Sequence, residues 1–269
     1  MTKEPRMIMK KLVGVLTLGL ILATLAGCTK KDAGDQLEKI TKEGKIVIAM
    51  EGAWAPWTYH DENGDLVGFD TEVGKAIAEK LGVEAEFVEG EWDGLFTGLD
   101  TGRYDIIING VEITNERSEK YDFTTPYAYI KTALITPSND NSIKTFEDLK
   151  GKKTANSLNS TYMILAEKYG AECQGVDTLS ETIDMVLSGR VDATLNAEVS
   201  YYDYMTQHPE AEIKIAALTE DASSVSIPLR KGEETIRLKE AIDKAIDELK
   251  ADGTLSTLSE KYFGADISK

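Results

Sequence analysis

Residues Tyr104 to Arg117 read YDIIINGVEITNER, and the fold turns on this stretch. Its apolar run, Ile106-Ile107-Ile108, is unbroken and stops at Asn109-Gly110. Alternation would mark a strand with one wet face, whereas an unbroken run marks a strand covered on both faces, as in a parallel sheet. A short polar loop follows, and then Arg117. In open α/β sheets, ligands sit in the crevice beyond the carboxyl ends of the strands. A loop at that place, with Gly110 permitting close backbone approach and an arginine beyond it, suits a small carboxylate. Arginine grips a carboxylate through two parallel hydrogen bonds, which lysine cannot do. By itself the stretch is better read as a core strand, a turn and a solvated arginine. The flanking sequence separates the two.

Upstream, Lys45 to Met50 (KIVIAM) is predicted as a strand, broken by Glu51-Gly52. Trp54-Ala55-Pro56-Trp57 follows, and Asp61 to Asp65 reads as a tight turn. Val73, Ile77 and Leu81 recur at helical spacing, so Phe69 to Leu81 is predicted as a helix ended by Gly82. Glu84 to Val88 reads as a strand and Trp92 to Thr101 as a helix closed by Gly102. Strand, helix, strand, helix, strand is the order of a parallel α/β sheet.

A second α/β set is expected after Thr136-Pro137-Ser138. It has a helical turn at Phe146 to Leu149, strands at Lys153 to Asn156, Val191 to Asn196, Ile213 to Ala216 and Ser224 to Leu229, and helices at Tyr162 to Tyr169, Thr178 to Ser188 and Glu198 to Gln207. Helices at Glu233 to Lys250 and Leu255 to Phe263 close the chain. The two sets share a trace of repetition, since GRYDIIIN at 102–109 aligns with GRVDATLN at 189–196, identical at four of eight positions. That favours two lobes of similar build with one cleft between them.

The first 27 residues read as an address. Lys3, Arg6, Lys10 and Lys11 precede a nearly all-apolar run from Leu12 to Ala26, the pattern of a secretory signal. The whole chain carries 30 Lys and Arg against 47 Asp and Glu. Without the four basic residues and one acid of this segment, 26 remain against 46, a net charge near −20. Such a balance argues against nucleic acid as a partner. Beyond the leader only Cys28 and Cys173 are left, and the single cysteine of the folded part, Cys173, reads as structural.

Several polar or aromatic groups fall at predicted carboxyl ends of strands: Glu51 with Trp54, Trp92, the loop from Asn109 to Arg117, Ser157 to Thr161, and Asn196 to Glu198. One topological rule would gather them. Ser157 to Thr161 also opens a helix, whose free N–H groups and dipole suit an anion, although plain capping would explain it. Trp57 is expected in the core, while Trp54 and Trp92 could sandwich an aliphatic stem or a cation. Signs of catalysis are thin. His60 and His208 lie away from the strand tips, and there is no nucleophile elbow, phosphate loop or metal-ligand spacing.

With those residues in view, the chain resembles the family 3 bacterial extracellular solute-binding proteins, the amino-acid receptors of ABC importers. The likeness runs from Leu37 to Phe263. It is carried by Val67-Gly68-Phe69-Asp70, Trp92-Asp93-Gly94-Leu95, Tyr121-Asp122-Phe123 with Thr125-Pro126-Tyr127, Leu149-Lys150-Gly151-Lys152, Asp252-Gly253-Thr254-Leu255 and Lys261-Tyr262-Phe263-Gly264. Glu51-Gly52, Trp92-Asp93-Gly94 and the ending Leu258 to Asp266 bring it nearest to the cystine-binding branch. Leu25-Ala26-Gly27-Cys28 looks like a lipobox, which implies cleavage before Cys28, a lipid on that residue, and an outward-facing protein held to the membrane by the lipid alone.

The resemblance implies a periplasmic-binding-protein-like type II α/β fold: two lobes joined by two crossover strands near Tyr127 to Lys131 and Asp221 to Val225. Residues 28–36 would be a tether, 37–128 with 226–269 lobe one, and 129–225 lobe two. It further implies that Arg117 holds the ligand α-carboxylate and that Asn109, Gly110 and Glu112 form the loop around the head group. Ser157 and the Thr161 N–H would face these from lobe two with Asn196, while Trp54 and Trp92 form walls and Glu51 touches the ligand side chain. No cofactor, metal or catalytic residue is implied, and the partners are an amino acid and a membrane permease, with the receptor a monomer. Cystine is the first expected ligand and lysine or arginine the alternative; small-acid dehydratases on the same fold are the competing class. The chain departs from the family pattern at Ala197, where an aspartate commonly pairs the ligand ammonium, and at Glu112, where a small hydroxyl residue is common. Glu112 is therefore expected to take over the ammonium, with Glu198 as its rival.

Overall fold

The computed structural model describes residues 34–269. The leader, Cys28 and the tether as far as residue 33 lie outside the described residues. The expected tether ends sooner than residue 36. Asp35 caps a helix over Gln36–Glu43, and Gln36 is buried, with its amide donating to Asp105 and accepting from Arg230.

The half containing Tyr104 to Arg117 is built on a parallel sheet ordered Glu84–Glu89, Lys45–Met50, Ile106–Ile107. Ladder bonds involve only Ile106 and Ile107, but Ile106, Ile107 and Ile108 are all fully buried, as the unbroken apolar run requires. The helix Phe69–Leu81 buries Phe69, Val73 and Ile77 and stops at Gly82, whose φ of +72° is a left-handed conformation that glycine adopts without strain.

In the other half, Thr132–Pro137 lies between Thr194–Ala197 and Ile213–Leu218 and is antiparallel to both. Lys153–Asn156 pairs in parallel with Glu172–Gly175, and a parallel bridge from Thr154 to Ala193 continues the layer. Neither Thr132–Pro137 nor Glu172–Gly175 is among the strands expected from the sequence.

One antiparallel ribbon, Ala128–Ile130 with Ser223–Val225, runs between the halves, and a second, Tyr121–Phe123 with Pro228–Arg230, packs in the first half, where Arg230 donates to the Leu99 and Tyr104 carbonyls. The single strand expected over Ser224 to Leu229 is thus two strands with different partners. They part at Ser226 and Ile227, whose N–H groups go instead to the Val111 carbonyl (2.9 Å) and the Thr124 hydroxyl (3.2 Å). One apolar core passes through the ribbons, from Ile46 and Ile48 by way of Tyr127, Ala128, Val225 and Ile227 to Leu134, Leu195 and Val199.

Candidate functional site

The loops at the carboxyl ends of these strands converge. Glu51, Trp54, Trp92, Asn109, Gly110, Glu112, Arg117, Ser157, Thr161 and Asn196 all line one cavity with about 550 Å³ of empty space, part of it open to solvent. Glu198, the expected rival to Glu112, does not line it.

Glu51 follows the last residue of its strand, and Asn109 lies two residues past the end of the neighbouring strand, Ile106–Ile107. The Glu51 N–H donates to Asn109 Oδ1 (2.8 Å), and Asn109 Nδ2 donates to Glu51 Oε2 (2.6 Å). Asn109 is fully buried, so its carboxamide chiefly fixes the backbone and carboxylate of Glu51. Burial pushes the Glu51 carboxyl up to about 7, against the Asn109 hydrogen bond.

Gly110 has φ +57°, and a Cβ there would stand 2.6 Å from the Trp54 ring. The close approach that demands glycine is therefore one made by an indole. Trp54 in turn stacks on Trp57, with centroids 5.2 Å apart and planes 18° apart. The Gly110 N–H donates to Asp70 Oδ2 (2.6 Å), and the Tyr127 hydroxyl donates to Asp70 Oδ1 (2.8 Å). Asp70 is fully buried, and desolvation raises its carboxyl to about 7 against the pull of those donors. A buried carboxylate thus ties the site loop to the start of a ribbon between the halves.

Arg117 sits in the short helix Asn115–Lys120, capped by Thr114. Its guanidinium lies over Trp92 and Phe96, 5.1 and 5.3 Å from the ring centroids, donating to the Glu112 carbonyl (3.0 Å) and to the Asn159 carbonyl (3.5 Å). Among the described residues it makes no ion pair with a carboxylate. Burial pulls its pKa down and Glu112 acts the other way. Such a guanidinium, stacked and partly dried but lacking a carboxylate, is suited to an anionic ligand group.

From the opposite half comes the helix Thr161–Lys168, capped by Ser160. Thr161 is its first residue, so its N–H belongs to the donors that a helix leaves free. The Thr161 hydroxyl donates to Glu112 Oε1 (2.5 Å), and Glu112 is buried. A further contact across the cavity runs from Trp54 Nε1 to Asn196 Oδ1 (3.2 Å), and outside the cavity lining Trp57 Nε1 donates to Ser200 Oγ (3.1 Å). Trp57 is fully buried, as expected.

The cavity also takes in Ser160, from the stretch Ser157 to Thr161, and residues that sequence reasoning passed over: Asn156, Tyr162, Asp177, Thr178, Leu179 and Thr182. Asp177 and Thr178 follow the unmarked strand Glu172–Gly175, so the same strand-end rule would have found them had that strand been legible. His60 and His208 line a separate groove with Tyr59, Asp203 and Tyr204. Among the described residues no group of three or more His, Cys, Asp or Glu is arranged to hold a metal ion, and no helix is long and apolar enough to cross a membrane.

The model of the bacterial extracellular solute-binding proteins, family 3, matches residues 46–265. A probable amino-acid ABC transporter-binding protein of Haemophilus influenzae is 39% identical, over 97% of this chain and 100% of its own length. The L-cystine-binding protein TcyA of Bacillus subtilis is 37% identical, over 97% of this chain and 100% of its own length. Among solved structures, an ancestral arginine-binding protein bound to arginine superposes with a TM-score of 0.76 at 39% identity, over 82% of this chain and 99% of its own. The fold is thus that of the type II periplasmic amino-acid-binding proteins, and the chain belongs to the bacterial extracellular solute-binding proteins, family 3.

Proposed function

We propose that a free amino acid is bound in this cavity and handed to an ABC permease, with no reaction in between. The observation that carries the reading is Arg117: a stacked guanidinium in a cavity wall, without a carboxylate partner among the described residues, facing a helix N-terminus from the other half. An α-carboxylate fits between the guanidinium and the Thr161 N–H. The buried Glu112 carboxylate beside them receives the α-ammonium, in place of the aspartate absent at Ala197. Trp54 and Trp92 form the walls, and Glu51 meets the side chain. Residues 37–128 with 226–269 and 129–225 form the two lobes. Each carries half of the contacts, so ligand favours the conformation in which the halves meet. The receptor acts as a monomer outside the cytoplasm, held by a lipid on Cys28.

L-cystine is the first candidate, supported by the Bacillus subtilis relative. A dibasic amino acid is the second. Among the charged residues lining the cavity, Glu51, Glu112 and Asp177 face Arg117 alone, an imbalance that a second cationic group offsets. Melting the protein against a panel of amino acids and cystine separates the two, because a ligand that binds only the folded state raises the midpoint by linkage. Cystine is expected to give the largest rise. A rise with arginine or lysine and none with cystine would transfer the assignment to the dibasic class, and a flat panel would end the amino-acid reading.

A further inference from the structure

Tyr162 stands in the first turn of the helix Thr161–Lys168, next to the residue whose hydroxyl bonds Glu112. It lines the cavity and is only 8% exposed. Its hydroxyl is buried and has no hydrogen-bond partner among the described residues. Native proteins rarely leave such a group alone, because burying an unpaired hydroxyl forfeits the bonds that water gave it. The charged groups whose fields reach the phenol are Glu112, Arg117 and Glu51, all of them cavity residues. The Ala197 N–H also acts on the phenol, but it makes its own hydrogen bond to Asn196 Oδ1 at 2.9 Å.

A second buried oxygen among the cavity-lining residues is in the same condition. Asn156 spends its Nδ2 on the Leu195 carbonyl (2.7 Å) and the Thr194 hydroxyl (3.3 Å), while its Oδ1 has no partner among the described residues. A carboxamide oxygen can only accept, so it calls for a donor. A phenol can accept one hydrogen and give another.

We propose that Tyr162 is a specificity-determining ligand contact, whose hydroxyl takes the α-ammonium of the bound amino acid together with Glu112. The phenol oxygen accepts an ammonium hydrogen and the phenol hydrogen goes to a carboxylate. Burial holds the phenol well above its ordinary pKa, so it keeps that hydrogen throughout the neutral range. The assignment rests on the amino-acid reading above and adds to it a residue that the strand-end argument does not reach.

Tyr162→Phe removes the hydroxyl and nothing else. Calorimetry with the amino acid that most raises the parent's melting point should show about a tenfold or greater loss of affinity. The ligand-free melting point should stay level or rise, because an unpaired buried hydroxyl has been removed. The analogue lacking the α-amino group should bind parent and variant alike. Unchanged affinity for the amino acid, or an equal loss for the analogue, would overturn the assignment. So would a lower ligand-free melting point, which would make the hydroxyl a structural one. If no amino acid binds the parent, this assignment falls with the amino-acid reading; if one binds parent and variant equally, only the Tyr162 assignment falls.

Discussion

The segments Gly102–Asn109 and Gly189–Asn196 begin alike and end differently. Each follows a helix and turns on a glycine with positive φ, +71° at Gly102 and +69° at Gly189. Each then places an aspartate that clasps the first strand of its sheet. Asp105 Oδ2 accepts from the Val47 N–H (2.8 Å) while the Asp105 N–H donates to the Val47 carbonyl (2.9 Å). Asp192 does the same with Lys153, at 2.8 Å in both directions. The terminal asparagines then diverge. Asn109 stays within its own half and holds Glu51, whereas Asn196 accepts from Trp54 across the cavity. One turn design, used twice, fixes a cavity loop within one half and reaches across the cavity from the other.

That asymmetry can be broken most forcefully at Arg117. Arg117→Ala should leave the ligand carboxylate unpaired and cost a few kcal/mol, on the order of a hundredfold or more in affinity. Thr161→Val, on the facing half, should cost clearly less because its backbone donor survives. Calorimetry on both variants checks the order, and equal losses would mean that the halves share the anchor.

The two aspartates sharpen the comparison next. Asp105 is buried and also accepts from Gln36 Nε2 (2.9 Å), while Asp192 is half-buried. Asp105→Ala should destabilise by about 2–3 kcal/mol and Asp192→Ala by about 1 kcal/mol in urea unfolding. Equal values would show that burial does not distinguish the two clasps.

A further effect concerns pH. Glu51 and Asp70, both in the first half, hold their protons up to about 7 in the folded protein, against about 4 in an unfolded chain. Below about 4 both states are protonated and these groups cost nothing. As pH rises from about 4 to about 7 the unfolded state ionises first, so their contribution lowers stability, and above about 7 the loss is complete. Glu51→Gln cannot ionise. Its melting point relative to the parent should therefore climb across that window, and a constant difference would refute the burial of this carboxyl.

What the sequence disclosed follows the strength of its patterns. Phe69–Leu81 carries a regular apolar stripe and a glycine stop, and the helix ends where those signals end. Glu198–Gln207 also has the bounds expected from the sequence. Glu172–Gly175 is an edge strand with Cys173 as its one partly buried apolar residue, so no periodicity marks it, and the loop behind it was lost as well. Thr132–Pro137 is the centre of its sheet, but five buried residues followed by a half-buried proline also look like a boundary. Tyr162 was read as a helix start, because nothing in one dimension tells a packed tyrosine from one whose hydroxyl is left without a partner. Within the candidate site, most polar residues beyond legible strand ends were found, but Asn156, the last residue of its strand, and those displayed by an illegible strand were not.

The contacts from Thr161 to Glu112, Arg117 to Asn159 and Trp54 to Asn196 have a consequence for timing. In the proposed capture, a ligand leaves only as the halves part, and these bonds across the cavity must break before it does. Its residence time is then bounded by the rate at which these bonds break together, however weak or strong its own grip. Substitutions in this latch should shorten the dwell of every ligand by a similar factor while leaving the ranking of ligands as it was. Selectivity and retention can thus be tuned on different residues of the same cleft.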